Sequence, residues 1–564
     1  MRGHAGGNNS NEASNKRLIF LVFSFFFLIN VVSSGGHFDY WDGVEAYLVT
    51  ESMVIKHSAM LYPDVPSIKT LHYDIHLGIP MYKALGSGKP YNPNVPLEPV
   101  YIVRSLLLSA IAVPFYYAAA IVSVSPITLI GLCVNSLMIS LTCVVLFCFA
   151  LEIYASKNIA FILSLIYGVC SFVWPYNTTF WSMPLQALCI VASAYFIYLS
   201  LHRHYSFICH YTRLDNDKND RNKGIYFAGL GGLFLGSSVF ALPNSIVLIP
   251  GFIIYSIFSM KRNRKSLTSF LITLAVVLSF MGLVNYVRFG SFTNFGYGYL
   301  ESLAAHMYDW SGLVGLLVSP GAGLIFYFPI AILLPLAFKY MYTKNKGIFF
   351  LSVYLFIAAW LYIGTTGYQE PFGWSGQGWG PRYFISILPL ITLVSGTLLI
   401  RLKKLRFKSK LRLFLTISII ILCVAGFYVN LVGKLVWYMY GYTYGWEREQ
   451  LARFSEWPII MTWNLHDSPI ILHTKALISN FVSSIQPENY INSSWHWAGY
   501  GLAPCSYDDY FYCKFGIAPI LFLSAAIVVL GIAIIKEITG TSWHLLSSFS
   551  STSRTAKVKR KNTG

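Results

Sequence analysis

The stretch from His37 to His57 reads HFDYWDGVEAYLVTESMVIKH and follows directly on the first long apolar run of the chain. Four carboxylates fall within its first fifteen positions, in a chain that has only 23 acidic residues among 564: Asp39, Asp42, Glu45 and Glu51. Carboxylates next to a membrane segment are costly to hold near apolar surface, and function is one reason to keep them. We therefore take this stretch as the first candidate for a functional site.

Helical periodicity divides these carboxylates into two sets. If a helix starts at Asp42, Asp42 and Glu45 share one face, whereas Glu51 lies on roughly the opposite side at about 100° per residue. Only the first two carboxylates can then converge on one ligand. The same Asp-x-x-Glu spacing is also a capping box, in which both side chains bond free amides at the helix start. The spacing alone leaves both interpretations open.

The composition identifies the class of protein. Hydrophobic residues make up 55% of the chain and charged residues 11%, and the mean hydropathy is +0.56, values outside the range of ordinary soluble domains. Apolar runs of about 20 residues recur, each long enough to cross a bilayer. The formal charge of +18 comes from short basic clusters between these runs, as the positive-inside bias produces. We therefore expect a multi-pass integral membrane protein with no nucleic-acid partner.

The apolar runs predict an all-α polytopic membrane protein with about 12–14 transmembrane helices. The candidate spans are 18–34, 100–122, 127–150, 159–174, 180–200, 224–240, 246–260, 267–287, 323–338, 349–365, 384–400, 413–432 and 516–535. Thirteen crossings leave the two basic ends of the chain on opposite sides of the membrane. The conflict falls between Val100 and His202, where four runs have to make an odd number of crossings.

The loops between these runs give the predicted organisation. Residues 1–17 are expected to be a disordered cytoplasmic tail, and 18–432 a transmembrane module with outer loops at 35–99, 288–319 and 367–383. A larger outer loop at 433–515 precedes the last helix, 516–535, and a basic cytoplasmic tail, 536–564. The first outer loop is expected to be helical in its first part.

A second candidate for a functional site is Arg382, in the stretch GYQEPFGWSGQGWGPRYFISILPL. This arginine stands alone at the outer mouth of a predicted span, against the positive-inside bias, and its planar fork suits a phosphate. The neighbouring Gly378, Gly380 and Pro381 let the backbone come close to a ligand. Alternatively, Arg382 pairs with an acid such as Glu370 or extends to lipid headgroups.

Two further groups suggest a metal site and a disulfide. His72, Asp74 and His76, in LHYDIHLG, fall on one face of a strand and are weak candidates for ligands of a divalent metal; loop polarity explains them equally well. Cys505 and Cys513, in CSYDDYFYC, can form a disulfide if that side of the membrane is oxidising. Six other cysteines lie within apolar runs and are expected to be buried thiols: Cys133, Cys143, Cys148, Cys170, Cys189 and Cys423.

Four blocks of sequence, taken together, resemble the GT-C superfamily of polytopic glycosyltransferases, in particular its protein mannosyltransferase and aminoarabinose transferase branch. They lie between Asp42 and about Leu390, a span of roughly two thirds of the chain, and read DGVEAYLVTESMV, YIVRSLLLSAIAVPFYYAA, FG…YGY…GLVGLLVSPGAGLIFYFP and GWGPRYFISILPL. The resemblance rests on the order of the blocks and on their positions at membrane faces.

This resemblance implies that a sugar moves, with inversion, from a polyprenyl-phosphate donor to a lipid, glycan or protein acceptor at the outer face of the plasma membrane. It implies that Asp42 is the base, with Asp39 or Glu45 as its orienting partner. The donor phosphate is expected at Arg382 and Tyr383. Further pocket residues are expected in the FG…YGY block and just after it: Tyr297, Glu301 and His306.

The sequence departs from the family pattern next to the expected base, and the family itself varies in its need for a metal. Where the family has a paired Asp-Glu, this chain has Asp42-Gly43, so Asp39 is an alternative base. Members of the superfamily differ in needing a divalent metal, so no cofactor is assigned and a metal remains an option.

Two other functions fit a many-helix membrane protein. A transporter or flippase of lipid-linked substrates would place ionisable residues near mid-membrane on broken helices in repeated halves. The sequence has no convincing internal repeat, and Arg104 is the main charged residue within an apolar run. A non-catalytic binding subunit is the third interpretation, and the presence of both Asp42 and Arg382 argues against it.

Overall fold

The structure is a computed structural model, which describes residues 6–38, 41–67, 99–201, 217–261, 263–296, 311–366, 378–406, 409–436, 462–483 and 517–539. These residues fold almost entirely into helices. The one isolated β-bridge recorded among them pairs Leu61 with Val100. The helices, in chain order, are α1 Gly6–Val32, α2 Trp41–Ile55, α3 Leu106–Ile121, α4 Pro126–Tyr154, α5 Lys157–Val169, α6 Met183–Leu201, α7 Asp217–Ala241, α8 Ile249–Ser259, α9 Arg264–Phe289, α10 Ser311–Val318, α11 Leu324–Tyr327, α12 Leu334–Lys344, α13 Lys346–Thr366, α14 Leu388–Lys404, α15 Lys410–Leu435, α16 Pro469–Ser483 and α17 Ile517–Thr539.

The described helices confirm the prediction of an all-α polytopic membrane protein. Eight of them are long and apolar enough to cross a bilayer: Ser14–Val32, Pro126–Tyr154, Met183–Leu201, Lys223–Ala241, Arg264–Phe289, Lys346–Thr365, Lys410–Leu435 and Pro519–Thr539. Four shorter apolar helices accompany them: Leu106–Ile121, Lys157–Val169, Pro243–Ser259 and Pro469–Ile478. Large apolar side chains remain exposed along α9, including Val276, Phe280 and Val287. Such a face suits a helix that lies against lipid.

The first helix starts earlier than the sequence indicates. Helix α1 begins at Gly6, within the stretch 1–17 that is predicted to be disordered. An apolar helix that is already nucleated adds residues at little cost, since each further residue gains a hydrogen bond. Ser14 Oγ also donates to Glu537 Oε1 of α17 at 2.5 Å. The beginning of α1 and the end of α17 therefore lie at the same end of the bundle.

The conflict in the number of crossings is resolved at α3. Ser34, just after α1, donates to Gly131 O in the first turns of α4 at 3.1 Å, so α4 begins where α1 ends. Ser105, which precedes α3, lines the same cavity as Phe180, whose loop bonds the end of α1 through Asn177 and Asn30 O at 2.6 Å. Both ends of α3 therefore lie at this end of the bundle. The run 100–122 therefore starts and ends at the same end of the bundle, which leaves three of the four runs between Val100 and His202 for the odd number of crossings that the charge pattern requires.

Helices α2 and α3 form a separate apolar cluster on the end of the bundle where α1 ends, which we name the cavity end. Phe38, Tyr47 and Leu48 pack there against Leu108 of α3 and Ile130 of α4. Burial of each such side chain contributes about 1.5–3 kcal/mol. Thr50 Oγ1 donates to Ser109 O at 3.1 Å, which locks the two helices together. This cluster fixes the first turn of α2, and with it the acidic stretch.

The opposite end of the bundle carries the basic clusters, and we name it the basic end. Lys403 at the end of α14 donates to Ser156 at the start of α5 at 3.0 Å. Helix α5 then runs to the cavity end, where Trp174 Nε1 donates to Ser33 Oγ at 3.0 Å. The basic cluster that includes Lys403 therefore lies at the end of the bundle away from the cavity, and a basic cluster on one side is typical of a protein with a fixed orientation in the membrane.

Candidate active site

Arg104 joins the two carboxylates that the sequence placed on one helix face. Its Nη2 lies 2.7 Å from Asp42 Oδ1, and its Nε lies 2.5 Å from Glu45 Oε2. Glu45 is buried, whereas Asp42 and Arg104 each keep about a quarter of the side chain exposed. One guanidinium fork bound to two carboxylates is a rigid arrangement, because its donors lie in a single plane.

Glu51 points elsewhere, as the helical periodicity predicts. Its Oε1 accepts from Ser67 Oγ at 2.7 Å and from Tyr116 at 3.3 Å, and its Oε2 accepts from the Ser67 amide at 3.1 Å. Burial, followed by the nearby charge of Glu51, raises the pKa of Tyr47 well above its usual range. Glu51 therefore ties α2 to its neighbours and takes no part in the Asp42 site.

The glycine after Asp42 is required by a close approach of two backbone segments. A Cβ added to Gly43 lies 2.4 Å from the carbonyl oxygen of Thr179. Phe180, the next residue, has a φ of 48°, a conformation that bulky residues rarely adopt. The contact leaves no space for a side chain at position 43. This crowding gives a physical reason for a glycine directly after Asp42.

Arg382 is buried between two aromatic rings. Its guanidinium carbon lies 5.0 Å from the Trp181 ring centroid and 4.7 Å from the Tyr383 ring centroid. Its Nη2 donates to Tyr383 Oη at 2.7 Å, and the residue is only 4% exposed. Arginine stays charged when it is buried, and aromatic faces stabilise that charge. The planar edge of the guanidinium is thereby held in a fixed direction.

The glycines before Arg382 make room for protein side chains. A Cβ on Gly378 would lie 2.6 Å from Tyr176 Oη and 2.9 Å from Arg382 Cδ. Gly380 has a φ of +70°, and a Cβ added there would lie 2.6 Å from Cγ of the Tyr327 ring. The backbone here wraps around the arginine stem and then continues into the 3₁₀ turn Arg382–Ser386. Both glycines thus contribute to the position of Arg382.

Asp42 and Arg382 line the same cavity, of about 210 Å³, at the cavity end. Arg104 and Arg288 also line it, and Asp42 is the only carboxylate in its lining among the described residues. The remaining wall is mainly apolar: Val103, Leu108, Phe180, Met183, Val239, Phe240, Leu242, Pro243, Met281 and Phe295. Three cations and one carboxylate beside an apolar wall are suited to an amphiphilic anion.

Arg288 holds the segment that carries Arg104. From the last turn of α9, its Nη2 donates to Ile102 O and, at 3.1 Å, to Arg104 O. Its guanidinium also stacks at 4.6 Å on the Phe289 ring. The backbone of residues 102–104 is thereby fixed to α9, and the position of the Arg104 fork relative to Asp42 follows from it.

Several residues singled out from the sequence lie outside the described residues. They are Asp39, Tyr297, Glu301, His306, Glu370, the metal candidates His72, Asp74 and His76, and the cysteines Cys505 and Cys513. Within the described ranges, no three His, Cys, Asp or Glu side chains come together in a way that could hold a metal ion. The six cysteines of the apolar runs are free thiols; three are buried as expected, whereas Cys133, Cys170 and Cys423 are only partly buried.

Sequence reasoning missed three members of the site. The sequence marks Arg104 only as a charged residue within an apolar run, and no pattern in it singles out Arg288 or Trp181. The one available signal for Arg104 was an arginine within an apolar run, since such a charge faces the protein interior and needs a partner. Nothing in the sequence marks Trp181 as the ring that covers Arg382.

Solved structures resemble this fold at low similarity. The structure of ArnT from Cupriavidus metallidurans bound to undecaprenyl phosphate is 10% identical, with a TM-score of 0.43 over 93% of this chain and 77% of that one. The oligosaccharyltransferase AglB of Archaeoglobus fulgidus, in complex with an inhibitory peptide and a dolichol-phosphate, is 11% identical, with a TM-score of 0.36 over 76% of this chain and 60% of that one.

No protein-family model and no curated protein sequence matches the chain. The chain spans about three fifths of the length of the oligosaccharyltransferase it resembles. At identities near 10% and TM-scores below 0.5, the likeness concerns the fold only. The function is therefore inferred from the chemistry of the chain's own cavity.

Proposed function

We propose that the protein is a membrane glycosyltransferase that moves a sugar from a polyprenyl-phosphate donor to an acceptor. The observation that carries this proposal is the meeting of Asp42 and Arg382, far apart in the sequence, in the lining of one cavity. A carboxylate supplies a base, and a buried arginine supplies a fixed positive charge for a phosphate. The apolar part of the lining suits the lipid portion of such a donor.

In the proposed reaction, Asp42 takes the proton from a hydroxyl or amine of the acceptor. The acceptor atom attacks the anomeric carbon of the sugar, and the bond from that carbon to the phosphate oxygen breaks. The lipid phosphate leaves with the electron pair and is stabilised by Arg382. One displacement inverts the anomeric configuration. Tyr383 orients Arg382 through its hydroxyl.

Arg104 acts as a positioning residue in this scheme. It engages Oδ1 of Asp42, while Oδ2 accepts no hydrogen bond from the described residues. A carboxylate held by one oxygen can still receive a proton on the other. Glu45 keeps the guanidinium in place from the buried side. Glu45 is therefore the orienting partner of the base through Arg104, in agreement with one of the two roles that the family resemblance implies.

The orientation in the membrane belongs to the same proposal. The positive-inside bias puts the basic end in the cytoplasm, and the cavity end then faces outward. We place the protein in the plasma membrane, with the sugar transferred at the outer face to a lipid, glycan or protein acceptor. A disulfide between Cys505 and Cys513 would fit that oxidising side, and the carboxylate and arginine chemistry assigned here has no step that requires a metal.

The test is sugar transfer by the purified full-length protein from a panel of polyprenyl-phosphate sugars to a mixed lipid and peptide acceptor pool. We expect wild-type protein to use at least one donor and Arg382→Gln to lose at least 100-fold of that activity. Wild-type protein that binds the lipids but transfers no sugar from any of them would contradict the transferase function and favour a binding or flippase function.

A further inference from the structure

An unpartnered amide lies in the wall of the cavity. Asn285 is 3% exposed, and its side-chain nitrogen is buried without a hydrogen-bond partner among the described residues. Buried amide donors are nearly always satisfied in folded proteins, because an unmade hydrogen bond costs about 1–3 kcal/mol. Asn285 also lines the cavity of Asp42 and Arg382. A donor kept unsatisfied in a binding cavity is expected to meet its partner on the ligand.

The position of Asn285 on α9 indicates which part of a ligand it meets. Met281, Asn285 and Arg288 lie four and three residues apart, so they share one face of the helix, and all three line the cavity. Along that face the chemistry changes from a thioether to a neutral amide and then to a cation. Arg288 is bound to backbone carbonyls. An amphiphile with its tail beside Met281 would bring its polar head group to Asn285.

The end of α7, a helix that packs against α9, offers no side-chain acceptor to this amide. Val239, Phe240 and Ala241, at the end of α7, face the same cavity with apolar side chains. The Phe240 carbonyl is already an acceptor for Ser105 Oγ at 3.3 Å. The amide is therefore the one neutral polar group on this part of α9 that faces the cavity, within the described lining.

We infer that Asn285 binds the substrate by donating a hydrogen bond to an oxygen of the donor head group. This inference rests on the proposed function and adds a residue to it. The acceptor atom is either a phosphate oxygen or a sugar hydroxyl, since an amide N–H serves both. Asn285 selects for a ligand that brings an oxygen to this depth, and a purely apolar lipid leaves the amide unpaired.

The inference predicts opposite effects on stability and on binding. Replacing an unsatisfied buried amide by an apolar side chain of similar size is neutral or stabilising. In the absence of lipid, the Asn285→Leu protein should therefore unfold at the same temperature as wild type or at a higher one. The Asn285→Ala protein tests binding, because alanine adds no bulk to the cavity. Ser352→Ala is a matched control, because Ser352 is also buried with an unpartnered oxygen but lies outside the cavity lining.

The experiment measures binding of a polyprenyl phosphate and of a polyprenyl-phosphate hexose to full-length protein in nanodiscs. We expect Asn285→Ala to weaken binding about three- to tenfold, the value of one neutral hydrogen bond, and Ser352→Ala to leave it unchanged. Weaker binding of both lipids assigns the contact to the phosphate, and weaker binding of the hexose lipid alone assigns it to the sugar.

Three results would overturn the inference, and they are distinguishable. Wild-type affinity of Asn285→Ala for both lipids shows that the amide does not touch the head group, while the proposed function stands. If wild-type protein binds neither lipid, the proposed function fails and this inference fails with it. A large loss of thermal stability in both Asn285 variants would show a structural role instead.

Discussion

Substitution of Asp42 by asparagine removes the proposed base and leaves most of the hydrogen bonding around it intact. Asparagine keeps the shape of the side chain and one hydrogen bond to Arg104, and Arg104 keeps its pair with the buried Glu45. Exchanging one charge-assisted bond for a neutral one at a partly exposed site costs about 1 kcal/mol in the free energy of unfolding. Loss of a general base raises the barrier by about 3–5 kcal/mol, which lowers turnover about 10²–10⁴-fold.

Glu45→Gln is the matched comparison, and it should show the reverse order of effects. Glu45 is 5% exposed, so removal of its charge weakens a buried pair and should cost about 3 kcal/mol of unfolding free energy. It does not line the cavity, so its effect on turnover should be smaller than that of Asp42→Asn.

The assay for this pair is sugar transfer at saturating donor, with thermal unfolding measured on the same preparations. Asp42→Asn should be the less active of the two variants, and Glu45→Gln should be the less stable. Asp42→Asn with wild-type turnover would refute the assignment of the base at this position and direct attention to Asp39.

Two further predictions concern the geometry around the site. Gly43→Ala should lower turnover at least tenfold, because its Cβ would lie 2.4 Å from Thr179 O and force that carbonyl to move. Gly531→Ala is the control and should be active, because its Cβ meets only Phe25, at 3.5 Å. Equal activity of the two variants would contradict the crowding argument. If α3 does not cross the bilayer, the single-cysteine variants Ser123→Cys and Thr293→Cys should react with impermeant thiol reagents from the same side of the membrane. Thr343→Cys should react from the other side. Labelling of Ser123→Cys from the side of Thr343→Cys would restore the run 100–122 as a span.

The class of fold could be predicted from the sequence because every backbone polar group within lipid has to be hydrogen-bonded inside the protein. A long apolar run satisfies this requirement as a helix. The sequence could not identify the run that fails to cross. Leu106–Ile121 is as apolar as its neighbours, and only the packing of α3 on α2 and on the first turns of α4 decides its position. Composition alone does not distinguish lipid-facing from protein-facing apolar helices.

For the site, periodicity correctly placed Asp42 with Glu45 and apart from Glu51, since three residues are nearly one helical turn. Arg104, 59 residues beyond Glu45, could not be assigned to this pair, because contacts between distant segments leave no local pattern. The same holds for Trp181 and Arg382, which lie 201 residues apart and meet where a loop contacts a 3₁₀ turn. The unsatisfied donor of Asn285 is visible only once the surrounding atoms are placed.

The most direct test of the shared site is a density map of the full-length protein with a non-hydrolysable polyprenyl-phosphate sugar bound in nanodiscs. We predict the phosphate within hydrogen-bond distance of Arg382, and the anomeric carbon turned towards Asp42 with room for one acceptor atom between them. A phosphate bound elsewhere, or a sugar on the far side of Arg382 from Asp42, would contradict the proposal that these two residues act on one substrate.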